Sequence, residues 1–313
     1  MDNGIIKREN ENENIQKLAA QRQIYSKAKS VFGVEIITQV IIIIILSLLP
    51  IIFNDSFLKV DDIGKENLKS FTVICSLILV LLDVIIMNPQ IDELKYLAAS
   101  IQQDFDCTVL LLPWNDIKIS KPDLEIISRY ARRYYKDNKS QDLENWYTPN
   151  EIETLPIAVA RIICQRTNCT WDNYLRKNFT RNIEICTLLL FIFLLSVGLI
   201  HGISLQKFMV YVFCPFLPAL TFSIIQVQNN NSSIKSLERL KNIADEYWEK
   251  ILSNTCDDSL LYDLSKKLQN EIFDNRKNSP LIFDWYYKKF RSSQQSDTDY
   301  TGEVMVKTYN SKK

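Results

Sequence analysis

Apolar and polar positions are sharply segregated along this chain, and the segregation predicts its elements. Four stretches are apolar-dominated at nearly every position: 34–53, "VEIITQVIIIIILSLLPIIF"; 70–88; 183–203, "IEICTLLLFIFLLSVGLIHGI"; and 208–227, "FMVYVFCPFLPALTFSIIQV". At ~1.5 Å per residue each forms a helix about 28–30 Å long, close to the roughly 30 Å of a bilayer's hydrocarbon core. Buried helices of a soluble core rarely stay apolar around their whole circumference for so many turns. The four stretches are therefore expected to be transmembrane helices.

Between and around them the pattern becomes amphipathic. "PQIDELKYLAASIQQDF" places Ile91, Leu94, Leu97, Ala98 and Ile101 at helical spacing, continuing the second span. "CTVLLLPW" is β-rich and ends at Pro113, so it is expected to be one short strand or an extended segment. "KPDLEIISRYARRYYK" predicts a helix with Arg129, Arg132, Arg133 and Lys136 outward, and 137–150 is expected to be a loop. Residues 155–179 read as a helix leading into the third span. After the fourth, Leu237, Leu240, Ala244, Tyr247 and Ile251 form a short seam, suited either to a second copy or to packing within the chain. A further helix is expected to start with Asp257 as its N-cap and to carry Leu261, Leu264, Leu268 and Ile272. Pro280 should separate it from the next.

The expected organisation is thus an N-terminal cytoplasmic helix (1–33), spans at 34–53 and 70–88 around an extracytoplasmic loop (54–69), and a cytoplasmic domain (89–182). Spans at 183–203 and 208–227 flank a short outer loop (204–207), followed by cytoplasmic helices (228–291) and a polar, disordered tail (292–313). The fold class is mainly α, with at most a short β segment.

Charge fixes orientation but names no partner: 37 basic residues balance 37 acidic ones. Residues 89–182 carry 13 Lys and Arg, whereas 54–69 carries three Lys against four acids. The excess of Lys and Arg marks the cytoplasmic side, which places both termini and 89–182 there. Arg176, Lys177 and Arg181, just before the third span, suit lipid headgroups. The first 30 residues lack the apolar core of a cleaved signal, so the first span should serve as an anchor. Seven cysteines, at 75, 107, 164, 169, 186, 214 and 256, show no framework spacing and are expected to be free thiols.

Catalytic chemistry finds little support. The one histidine, His201, falls at the outer end of a span, and six glycines leave no phosphate loop. Cys164 and Cys169 lack a second pair at zinc-ligand spacing, and Asp104 and Asp106 read as solvated acids. No catalytic residue, metal or cofactor is expected.

Five motifs carry a resemblance: "KLAAQRQIYSKAK", "DVIIMNPQI", "FDCTVLLLPWN", "LPIAVARIICQRTNCTWD" and "DNRKNSPLIFDWYYKKFR". Together, over roughly 14–305, they resemble the SMODS-associated four-transmembrane effectors of bacterial cyclic-oligonucleotide-based antiphage signalling. The resemblance implies an inner-membrane effector encoded beside a cGAS/DncV-like nucleotidyltransferase. A cyclic di- or trinucleotide would activate it to oligomerise or open a pore and arrest the infected cell. No DNA or RNA polymer is implied. Ligand contacts do not follow from the resemblance. Phosphates need guanidiniums and bases need aromatic faces, which selects Arg161, Arg166, Trp171, Arg276, Trp285 and Tyr286. Asp83, alone in an apolar run, is a candidate pore or anchoring residue, and Pro215 and Pro218, which interrupt the helical ladder, are candidate hinges. Two rivals are a membrane-anchored enzyme acting on nucleotide or lipid, and a non-enzymatic receptor or scaffold.

Overall fold

The computed structural model describes residues 2–45, 70–71, 74–75, 77–137, 143–200 and 204–313. The chain divides into two compact units. Unit 1 comprises Met1–Ala28, Asp92–Lys177 and Asn231–Lys313; unit 2 comprises Lys29–Ile91 and Asn178–Asn230. The loop 54–69, His201 and residues 46–53 of the first apolar stretch lie outside the described residues.

The described residues are helical and contain no strand. Helix α1 spans Ile5–Glu9 and α2 Asn12–Ile36, which continues as a helix to residue 45. Helix α3 spans Asn88–Val109, α4 Leu124–Asp137 and α5 Ile157–Ile200. Helix α6 is the short Leu205–Phe208, α7 runs Cys214–Leu252, α8 Asp258–Asn278 and α9 Asp284–Lys312. Asp257 caps α8 as expected, accepting from the Leu260 N–H at 2.8 Å.

Two expectations are corrected. The run 107–114 is not a strand: α3 continues through Cys107 and Thr108 to Val109, and a turn follows with Leu111 at φ 52°. With no neighbouring strand to pair with, the β-branched residues finish a helix whose buried face already holds Ile101 and Phe105. The polar segment 292–313 is not disordered: it is most of α9, and Met305, Val306 and Tyr309 are buried.

In unit 1 the seam of α7 is buried within the chain, at Leu237, Leu240, Ala244 and Ile251. Trp248, rather than Tyr247, completes it and meets Tyr309 of α9, with ring centroids 6.5 Å apart. Unit 2 has an apolar centre of Leu194, Val212, Phe216 and Ala219. Around it the helices turn apolar side chains outward. In the most apolar 18-residue windows of Asn12–Ile45 and Ile157–Ile200, only 22% and 11% of residues are buried. A soluble core helix would bury most of such a window, so these two helices are suited to a membrane.

Among the described residues three wide π turns interrupt unit 2: Ile37–Ile42, Asp83–Met87 and Met209–Phe213. In the last, the Cys214 N–H donates to the Met209 carbonyl, five residues back. Pro215, which has no N–H to donate, follows this turn directly. Helix α7 then continues through Pro218 without a break.

Candidate functional site

The polar centre of unit 1 is built around Asp106, on the buried face of α3. Its carboxylate is inaccessible and accepts from the Tyr147 hydroxyl at 2.6 Å, the Gln269 amide at 2.9 Å and the Arg276 guanidinium. Burial pushes the Tyr147 phenol well above its ordinary range, and the neighbouring Asp106 charge adds to the effect. Gln269 also donates to Gln103 at 2.9 Å and accepts from Gln165 at 3.1 Å. Two residues before Asp106, Asp104 pairs with Lys17 at 2.7 Å. Asp104 and Asp106 are thus not solvated acids; each is committed to a cation. A buried carboxylate needs such partners, because desolvation without them costs several kcal/mol.

The six expected ligand residues are distributed over this unit. Arg161, buried on α5, donates to the Leu110 and Leu111 carbonyls at 2.6 and 2.9 Å, closing the end of α3 as a C-terminal cation does. Arg166 pairs with Asp245, which also receives Lys241 at 2.6 Å. Burial raises the Asp245 carboxyl, but the two cations outweigh it and hold it below the usual range. Arg276 belongs to Asp106. Each guanidinium therefore has its own partner, and the structure joins none of the three to another. Trp171 lies 6.1 Å from the ring of Tyr287. Tyr286 is buried against Phe290, whereas Trp285 is 65% exposed beside Phe283.

Arg176 departs from the lipid-anchor expectation. It is buried, held by Asp172 at 2.8 Å and by the Pro280 carbonyl at 3.0 Å. Lys177 pairs with Glu238 at 2.6 Å. The seven thiols are free. Burial raises those of Cys107 and Cys169 to about 12, which leaves them unreactive.

In unit 2, sequence reading singled out Asp83 and missed its counterpart. Gln39 donates to the Leu79 carbonyl at 2.6 Å, which fixes the register of two antiparallel helical segments. One turn further along each, Glu35 and Asp83 come level as electrostatic neighbours. Glu35 is buried. Asp83 accepts from Asn88 at 3.1 Å, and its other oxygen is buried without a hydrogen-bond partner. Glu35 was legible only as the first acid inside an apolar stretch, and nothing in its own segment pointed to Asp83.

A family model described as the SMODS-associating 4TM effector domain matches residues 3–305. A probable CBASS effector molecule of Bacillus cereus (strain VD146) is 25% identical over 289 residues, covering 90% of this chain and 92% of its own length. No solved structure matches.

Proposed function

Because this chain belongs to the SMODS-associating 4TM effector family, we propose that it is a membrane effector of antiphage defence that a cyclic di- or trinucleotide switches on. The nucleotide comes from a cGAS/DncV-like nucleotidyltransferase, and the outcome is a pore in the bacterial inner membrane. In this reading the spans are 34–53, 70–88, 183–203 and 208–227, with both termini and 89–182 in the cytoplasm. The observation that carries it is the outward apolar surface of the helices in unit 2. Leu77, Val84, Ile85, Leu188, Leu189 and Phe193 are exposed along them, an arrangement that lipid satisfies and water does not. The facing carboxylates of Glu35 and Asp83 give a pore assembled from several copies a cation-attracting lining.

The ligand enters unit 1. Arg166 is the first of the three guanidiniums within reach, because its partner Asp245 is partly exposed, and Trp285 offers an open aromatic face. Arg161 and Arg276 are held more tightly, so a phosphate must displace a carbonyl pair or Asp106 to reach them.

Full-length protein in dye-loaded liposomes, titrated with a panel of cyclic di- and trinucleotides, tests the reading. One nucleotide is expected to bind by calorimetry and to release dye. A nucleotide that binds tightly while vesicles stay sealed overturns the pore. Arg166→Ala is expected to weaken that binding about tenfold, the worth of one charge-assisted phosphate contact. Unchanged affinity removes Arg166 from the site.

A further inference from the structure

Most arginines of unit 1 are occupied. Arg8 and Arg161 hold carbonyls, while Arg166, Arg176, Arg239 and Arg276 hold carboxylates. Helix α4 is different. Arg129, Arg132, Arg133 and Lys136 recur at spacings of three, one and three, forming one stripe, and all four are exposed. The stripe faces away from Ile127, Ala131 and Tyr134, which bury the opposite side of the helix. Among the described residues none of the four cations has an acidic partner. Glu125 stands one turn before Arg129 without pairing to it, and Asp137 accepts from Gln23 instead. Arg133 lies over the ring of Tyr130, 5.5 Å from its centroid. Like charges three and four residues apart repel, and no anion among the described residues relieves them.

We propose that this face of α4 docks on the anionic phosphate headgroups of the bilayer that holds unit 2. Four unpaired cations on one face make a local field suited to a polyanion. Two further side chains select lipid over other polyanions. Leu124 is 76% exposed and Tyr135 44%, and their separation of roughly three turns sets them on one line along the flank of the stripe. A leucine and a tyrosine beside cations match the boundary between headgroups and acyl chains, the tyrosine keeping its hydroxyl in water. An acidic protein surface would answer the cations but leave the exposed leucine without a role. Covalent connection of unit 1 to apolar helices also keeps the bilayer at high effective concentration, so individually weak contacts suffice. The inference requires membrane residence but no pore, and it can fail while pore opening stands.

The test uses full-length protein carrying the photo-cross-linker p-benzoyl-phenylalanine at Leu124. It is reconstituted in vesicles of phosphatidylcholine alone or mixed with phosphatidylglycerol, and adducts are read by mass spectrometry. Phosphatidylglycerol adducts are expected at position 124 in the mixed vesicles and not at Tyr300, an exposed control on α9. The yield should fall about fivefold or more in Arg129→Gln/Arg132→Gln/Arg133→Gln/Lys136→Gln, and likewise in high salt with the chain otherwise unchanged. The salt arm needs no variant, so a folding defect of the quadruple substitution leaves the test intact. Equal yields in the two vesicle types, yields indifferent to salt, or cross-links to a second protein chain instead of lipid would each overturn the proposal.

Discussion

At the scale of single residues, Asp106 carries the most consequence. Asp106→Ala would leave the buried Arg276 without its counter-charge and the Tyr147 hydroxyl without an acceptor, and would remove one of the two acceptors of the Gln269 amide. A destabilisation of about 3–5 kcal/mol is expected, measured as a lowered denaturation midpoint of the purified protein. Glu9 makes a pH prediction. Its side chain is inaccessible, one oxygen accepts from the Tyr147 N–H at 2.9 Å, and the other is buried without a hydrogen-bond partner. Burial raises its carboxyl from 4.5 to about 8, against the smaller opposing effect of the Tyr147 and Trp146 N–H groups. The neutral form is thus favoured in the fold, so the stabilisation is complete below the unfolded value near 4.5. It falls away as pH rises from there through about 8. Glu9→Gln should flatten this dependence, gaining on the order of 2–4 kcal/mol over wild type at pH 9 and little at pH 5. Thermal melts at the two pH values check it. Neither residue announced itself in the sequence. Asp106 reads as one of several acids near a helix end, and Glu9 as part of a charged leader. Their burial depends on chain segments more than 130 residues away, which no local pattern encodes.

At the scale of elements, the spacing rules served the well-marked helices. Ile91, Leu94, Ala98 and Ile101 of α3 and the four apolar positions of α8 are buried where periodicity placed them, Leu97 is half-buried, and Asp257 caps α8. They failed for α9, whose buried positions are sparse in a polar segment: Gln294, Gly302, Met305, Val306 and Tyr309. That list does keep helical spacing, but its anchor is a glycine, which ordinarily argues against a helix interior. A methyl group at Gly302 would come within 2.3 Å of Pro149 Cδ, so the ring of Pro149 packs where a side chain would sit. Gly→Ala inside a helix ordinarily stabilises by about 1 kcal/mol. Here the sign should reverse: Gly302→Ala must push α9 off the Pro149 ring, and limited proteolysis should cut after Arg291 and Lys307 faster than in wild type. Unaltered cutting with a raised melting temperature would show that the contact yields readily.

At the scale of the whole molecule, the proposed opening depends on α7. This one helix carries Pro218 and the end of the last apolar stretch, and its later residues build the seam of unit 1. We expect Pro215→Ala/Pro218→Ala to retain nucleotide binding and to lose most nucleotide-triggered dye release, because the donors it restores close the helical ladder at the proposed hinge. Normal binding with leakage as fast as wild type would reduce both prolines to static fittings of the helix. Sequence reading reached the division into apolar and polar regions and the family. It did not reach the partners of Arg161, Arg166 and Arg276, because a guanidinium suited to a phosphate is equally suited to a carboxylate or a helix end, and only the folded chain shows which it has.

The interleaving of the two units has a consequence for how the protein comes into being. Unit 1 takes its parts from the start, middle and end of the chain, and the apolar segments are made between them. Asp106 leaves the ribosome long before Arg276, and by the time Arg276 is made every apolar stretch has already been synthesised. Unit 1 therefore cannot close its polar centre until every apolar stretch has been made. An unfinished copy therefore lacks a folded unit 1, so under the proposed function the effector is armed only once the whole chain has been made.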